Sequence, residues 1–263
     1  MTIQTTNIDA IGDAVDLTTG NESFFTIATN VFLEAQDANG VVAESGQAFF
    51  IYNNGGIVAN NLGVELENSN DHFYNEPSGT VFGFRGVKMT TTGETFVNYG
   101  AVSGDVFGAE DTAGNNIISN YGTIEGPTGG LNITAGGDTI TNSTTGMISG
   151  GIDIVSGGQT IINTGAIDGG ITFAGTGNSN SNSVTNSGEI TGSIKLTAGT
   201  TTIINDGTIN GAGGTAISLG SGLDTVVLGR PRSLTAPSRA LRSATSSTCR
   251  GSSSTGPNIR AAC

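Results

Sequence analysis

The chain has 263 residues, of which 43 are glycine, about 16% against a usual share near 7%, while charged residues make up only 12%. Its net charge of −13 divides into −19 over residues 1–229 and +6 over residues 230–263, so the main body repels phosphate backbones and is not expected to bind nucleic acid. Both cysteines, Cys249 and Cys263, lie in the basic segment, which excludes a disulfide framework or a thiolate zinc site in residues 1–229. No apolar run approaches the roughly 18–20 residues that span a bilayer.

At the N-terminus, Met1-Thr-Ile-Gln-Thr-Thr-Asn-Ile-Asp9 has neither a basic start nor an apolar stretch, so no cleavable signal peptide is expected. Residues 1–46 match the rest of the chain poorly. Phe24, Phe25, Val31, Phe32 and Leu33 suit an irregular cap or first rungs over an open end.

From residue 47 to 229 a repeat dominates. Asn53, Asn75, Asn98, Asn120, Asn142, Asn163, Asn186 and Asn205 follow one another at steps of 19 to 23 residues. Most stand in the phrase N-x-G-x-[IV]-x-G, as in Asn98-Tyr-Gly-Ala-Val-Ser-Gly104 and Asn163-Thr-Gly-Ala-Ile-Asp-Gly169. The copies at Asn75 and Asn142 carry two extra residues after the Asn, and the copy at Asn53 lacks the final Gly. An apolar residue stands two before each Asn, a second follows the first Gly, and a third stretch such as Ile152/Ile154 or Ile171/Phe173 alternates at i, i+2. That pattern predicts three short strands per repeat, with no window of helical period.

A unit of this length cannot bury its own apolar face, so copies must stack. The expected fold is an all-β, right-handed parallel β-helix of about 22 residues per rung, with Ile and Val ladders inside. The Asn column is predicted to face inward, each amide bonding to neighbouring rungs. Beyond Gly229 the composition switches: residues 230–263 carry six Arg and no acid, too few large apolar groups to fold, and read as a disordered tail foreign to the repeat, or else as a genuine basic tail.

The N-x-G-x-I-x-G phrase followed by I-x-[IL] resembles the coils of filamentous-haemagglutinin-like proteins and autotransporter passenger domains, over about residues 47–229. The resemblance implies a secreted or surface rod of bacterial type, and it specifies architecture better than activity, since adhesins, toxins and enzymes share it. Leu219-Gly-Ser-Gly-Leu-Asp-Thr-Val-Val227 is similar to one copy of the calcium-binding nonapeptide of type I-secreted proteins, with Gly136-Gly-Asp138 a fainter echo. That similarity implies half a Ca²⁺ site at Asp224; hard-cation coordination takes six to eight oxygens, and the next nine residues do not repeat the motif.

Other candidate chemistry is sparse. Glu125 and Asp168 fall in one outward column with Ser103, Ser149, Thr191 and Asn210, two rungs or roughly 9–10 Å apart by strand spacing. That separation is at or beyond the limit for an inverting glycosidase pair, and the column holds no base for a lyase. His72, the single histidine, is expected to point outward with no metal or triad partner. A further outward column, Thr95, Ile117, Thr139, Thr160, Ser183 and Thr202, could bind a carbohydrate or ice, or could be a plain β-branched face. The sequence thus points to a non-catalytic, adhesin-like extracellular protein with glycans or cell surfaces as partners and no required cofactor. A polysaccharide-active enzyme and a calcium-binding repeat protein are the alternatives.

Overall fold

The computed structural model describes residues 1–18, 23–44, 46–175 and 181–229; the basic segment 230–263 lies outside the described residues. Within them every regular element is a strand, and every strand pairing is parallel. The chain winds as a β-solenoid with three strands per rung. The strand ending on the ladder Asn belongs to a first sheet of eleven strands. The strand after the Gly corner, such as Thr123–Glu125 or Met147–Ser149, builds a second sheet. The i, i+2 stretch, such as Ile152–Ile154 or Ile171–Phe173, builds a third.

Alternation fixes which side chains face inward. On the first sheet Ile51, Phe73, Phe96, Ile118, Ile140, Ile161, Val184 and Ile203 stack in register and are fully buried. Ile57, Val81, Val102, Ile124, Ile148, Ile167, Ile190 and Ile209 do the same on the second. Burial of each such side chain contributes about 1.5–3 kcal/mol, offsetting the ordering of a chain that is unusually rich in glycine.

The corner between the second and third sheets has two forms. In later rungs a Gly-Gly pair with positive φ turns the backbone sharply: Gly150 and Gly151 at 98° and 84°, Gly169 and Gly170 at 113° and 85°. In two earlier rungs the strands Thr80–Met89 and Ala101–Asp111 run through both sheets without a break, and the turn is absorbed by a register shift between Gly83 and Arg85. A bulge replaces the expected corner there because Phe84-Arg85 is inserted between Gly83 and Gly86, the counterparts of the later pair Gly150-Gly151.

The strands among the described residues of 1–46 pair as rungs. Phe24–Ile27 pairs with Phe50–Asn53, Phe32–Ala35 with Gly56–Ala59, and Val41–Ala43 with Val64–Leu66. Thr2–Gln4, Ile8–Ala10 and Val15–Leu17 pair onto those in turn. They lack the repeat's signature because Ile27 and Gln4 occupy the ladder position that Asn holds from residue 53 onward.

One glycine illustrates how closely rungs approach. A Cβ on Gly122 would overlap the carbonyl oxygens of Gly100 and Tyr99 in the rung beside it. Gly122→Ala is therefore expected to cost about 2–3 kcal/mol and lower the melting temperature by several degrees. An unchanged melt would contradict this packing.

Candidate functional site

The eight predicted asparagines form one continuous inward ladder. Asn53 Nδ2 donates to Asn75 Oδ1 at 2.8 Å, and the same bond runs on through Asn98, Asn120, Asn142, Asn163, Asn186 and Asn205 at 2.6–2.9 Å. Each Nδ2 also reaches one or two corner carbonyls, Asn120 to those of Gly122 and Met147, both at 3.1 Å. All eight side chains are buried. The amides point the same way, so their dipoles add and strengthen one another along the rod. The ladder ends against Ile27 on one side and Leu228 on the other.

A second buried polar column, which sequence reasoning missed, lies four residues before the first. It comprises Asp71, Glu94, Asn116, Asp138, Gln159, Asn182, Thr201 and Asp224, all buried, at the corner entering the first sheet. Rung-to-rung bonds run from backbone to side chain. The amides of Phe49, Glu94, Asn116, Asp138, Gln159 and Thr201 donate to Asp71, Asn116, Asp138, Gln159, Asn182 and Asp224 at 2.8–3.0 Å. In five rungs the residue just before is left-handed: Asn70, Gly93, Asn115, Gly137 and Gly158, with φ between 61° and 92°. That conformation favours Asn or Gly.

Among the described residues no Lys or Arg forms an ion pair with the acids of this corner. Glu94 Oε2, Asp138 Oδ2 and Asp224 Oδ2 have no hydrogen-bond partner, nor does Oδ2 of Asp111, which faces inward in the third sheet between Met89 and Ile133. Burial pushes the Asp71 carboxyl up to about 6 and Glu94 to about 8. Asp111 rises to about 7, through burial and then the neighbouring Asp138 charge. Asp138 and Asp224 are also raised by burial. These groups are held as neutral acids over part of the accessible pH range.

Asp224 and Asp138, the two acids that carried the calcium similarity, thus fall in one structural column. Asp224 Oδ1 takes the Thr201 amide at 3.0 Å. Among the described residues no three His, Cys, Asp or Glu side chains converge on a point that could hold a metal ion.

Glu125 and Asp168 stand where the repeat phase puts them, exposed on the second sheet in the register Ser103, Glu125, Ser149, Asp168, Thr191, Asn210. Ser149 separates them, so they remain two rungs apart. The described residues' bases lie on the other side of the corner. Lys88 pairs with Glu65 at 3.0 Å and Arg85 with Glu110 at 2.6 Å, while Lys195 extends the outward column of the third sheet.

The first sheet's outer face differs from the other two. Its two outward columns run from Phe24 to Thr225 and from Thr26 to Val227 and contain no Asp, Glu, Lys or Arg. The expected column Thr95, Ile117, Thr139, Thr160, Ser183, Thr202 is one stretch of it, in unbroken register. Toward the N-terminal end both columns become aromatic, a feature the repeat pattern does not signal. Phe24, Phe50 and His72 stack with centroids 5.0 and 4.4 Å apart, and Tyr52 stacks on Tyr74 at 4.9 Å. His72 does face outward, half-buried, and its imidazole pKa is lowered by that burial.

Comparison of the chain with family models, with curated proteins and with solved structures finds no match.

Proposed function

We propose that the chain is a non-catalytic binding rod of the extracellular or cell-surface kind, adhesin-like, whose partners are glycans. The supporting observation is the division of labour between columns. Both buried ladders and the Ile/Val core hold one rung to the next, leaving long outward faces in which an outward position recurs at about 4.8 Å. Such a face offers many weak contacts at regular spacing to a repetitive polymer, which sum to useful avidity without a deep pocket. The resemblance to haemagglutinin-like and autotransporter coils points to the same use. A shallow depression lined by Thr29, Asn30, Phe32, Ser78 and Thr80 carries no titratable side chain.

The test incubates the purified chain with a panel of polysaccharides and scores retained protein and released product in the same wells. Retention without product is the expected result. Released product that disappears in Glu125→Gln or Asp168→Asn would replace this reading with a polysaccharide-active enzyme.

A further inference from the structure

We propose that the outer face of the first sheet is the binding surface and that its ligand is a neutral, unsubstituted polysaccharide chain; this rests on the glycan-binding reading above. Charge is the first argument. The chain carries −13 overall, yet this face has no charged side chain over ten successive rungs, while the outward columns of the second sheet expose Asp9, Glu34, Glu125, Asp168 and Glu189. An uncharged strip on an acidic rod admits a neutral polymer and turns away an anionic one, and it keeps a second acidic copy at a distance through the flanking carboxylates.

Shape supplies the second argument. Eleven strands make the strip about 50 Å long, and four residues of strand make it about 13 Å wide, a flat strip of the width of one extended sugar chain. Half-exposed apolar side chains such as Ile117 and Ile162 alternate with hydroxyls from Thr139, Thr141 and Thr160. That mixture suits pyranose rings, which present C–H faces and hydroxyl edges together.

The aromatic block gives the strip a defined end. His72 and Tyr74 lie side by side, with centroids 6.3 Å apart and planes within 8°. Behind them stand Phe50 and Tyr52; in the next rung ahead stand Thr95 and Val97, which are shorter. The two rings form a ledge facing along the rod, on which a sugar ring can stack.

The experiment uses the full chain with amorphous cellulose, chitin and starch as neutral probes and polygalacturonate and heparin as anionic ones. The variants are Thr160→Lys with Ile162→Lys on the first sheet, Tyr74→Ala at the ledge, and Thr172→Lys on the third sheet. Binding to at least one neutral polymer is expected, insensitive to salt, weakened about tenfold or more by the first-sheet pair and by Tyr74→Ala, and unchanged by Thr172→Lys. Melting curves of each variant confirm that the rod is intact. Neutral binding that all variants retain would overturn the assignment of the face while leaving the glycan reading standing. Binding of anionic polymers alone would overturn the ligand class. No retention by any polymer would overturn both. A stable dimer that the first-sheet pair dissociates would reassign the strip to self-association.

Discussion

The rod is expected to lose stability as pH rises from about 4 to about 8. Buried Asp71, Glu94 and Asp111 carry folded-state values of about 6, 8 and 7, each above its ordinary carboxyl value. Between the ordinary and the raised value the folded chain binds more protons than the unfolded one, so stability falls with pH across that window and levels off above it. A tenfold change in a group's proton affinity on folding is worth about 1.4 kcal/mol, which puts an upper bound of roughly 4–5 kcal/mol each on Glu94 and Asp111. Neighbouring acids that share protons contribute less than that sum, and a fall in melting temperature of about 10 °C is expected between the two pH extremes.

Repulsion among exposed carboxylates acts in the same direction, so a substitution must separate the two. Glu94→Gln does so, because the same column already accommodates an amide of that length. Gln159 Oε1 accepts the Asp138 amide, while its Nε2 donates to the carbonyls of Ala135 and Ser156. The variant should be more stable than the parent at pH 8, by about 1–3 kcal/mol, and equal to it at pH 4. A parent melting temperature that climbs steadily to pH 8 would show that these acids ionise freely in the folded rod.

Interrupting the Asn ladder in its middle should cost more than trimming its end. Asn120→Ala removes a donor to Asn142, Met147 and Gly122 and leaves Asn98 Nδ2 and Asn142 Oδ1 facing a gap. Two buried polar groups that lose a partner, together with the cavity, cost on the order of 3–5 kcal/mol. Asn205 donates onward only to Gly207 and has Leu228 beyond it, so Asn205→Ala should cost about 1–2 kcal/mol. Asn120→Asp is informative in another way. A carboxylate cannot donate, so it would set two acceptors against each other at Asn142 and worsen as pH rises. Denaturant titration of the three variants at one pH, and of Asn120→Asp at two, checks the series; equal losses at the middle and the end would contradict a cooperative ladder.

What could be read from the sequence was whatever repeats one residue type at one inward position. The Asn ladder and the Ile columns qualify, because both positions accept few alternatives: a buried amide must match the amide above it, and a narrow core suits β-branched side chains. The corner column escaped notice although its offset of four residues from the ladder Asn is the same in every rung from Asn75 to Asn205. Asp, Asn and Gln all supply the one oxygen that the neighbouring rung's backbone amide needs, and Glu94 and Thr201 stand in the same column, so no one letter marks it. The first two rungs were legible only as an irregular cap or first rungs, with Ile27 and Gln4 at the ladder position. Glu125 and Asp168 were correctly placed two rungs apart, since register along parallel strands follows from counting. Stacking of Phe24, Phe50 and His72 was not legible, because Phe24 precedes the first ladder Asn and the column turns to His and then Thr within two rungs of Phe50.

Binding and stability measured side by side on two variants test most directly whether inward columns hold the rod while the first sheet's outer face recognises its ligand. Ile162→Lys with Thr160→Lys should lose retention on the neutral polysaccharide that the parent binds, with its melting temperature within a few degrees of the parent's. Asn120→Ala should melt well below the parent yet, assayed at a temperature where it is still folded, should bind as the parent does. Loss of binding in Asn120→Ala with the rod intact, or full binding by the lysine pair, would contradict that separation.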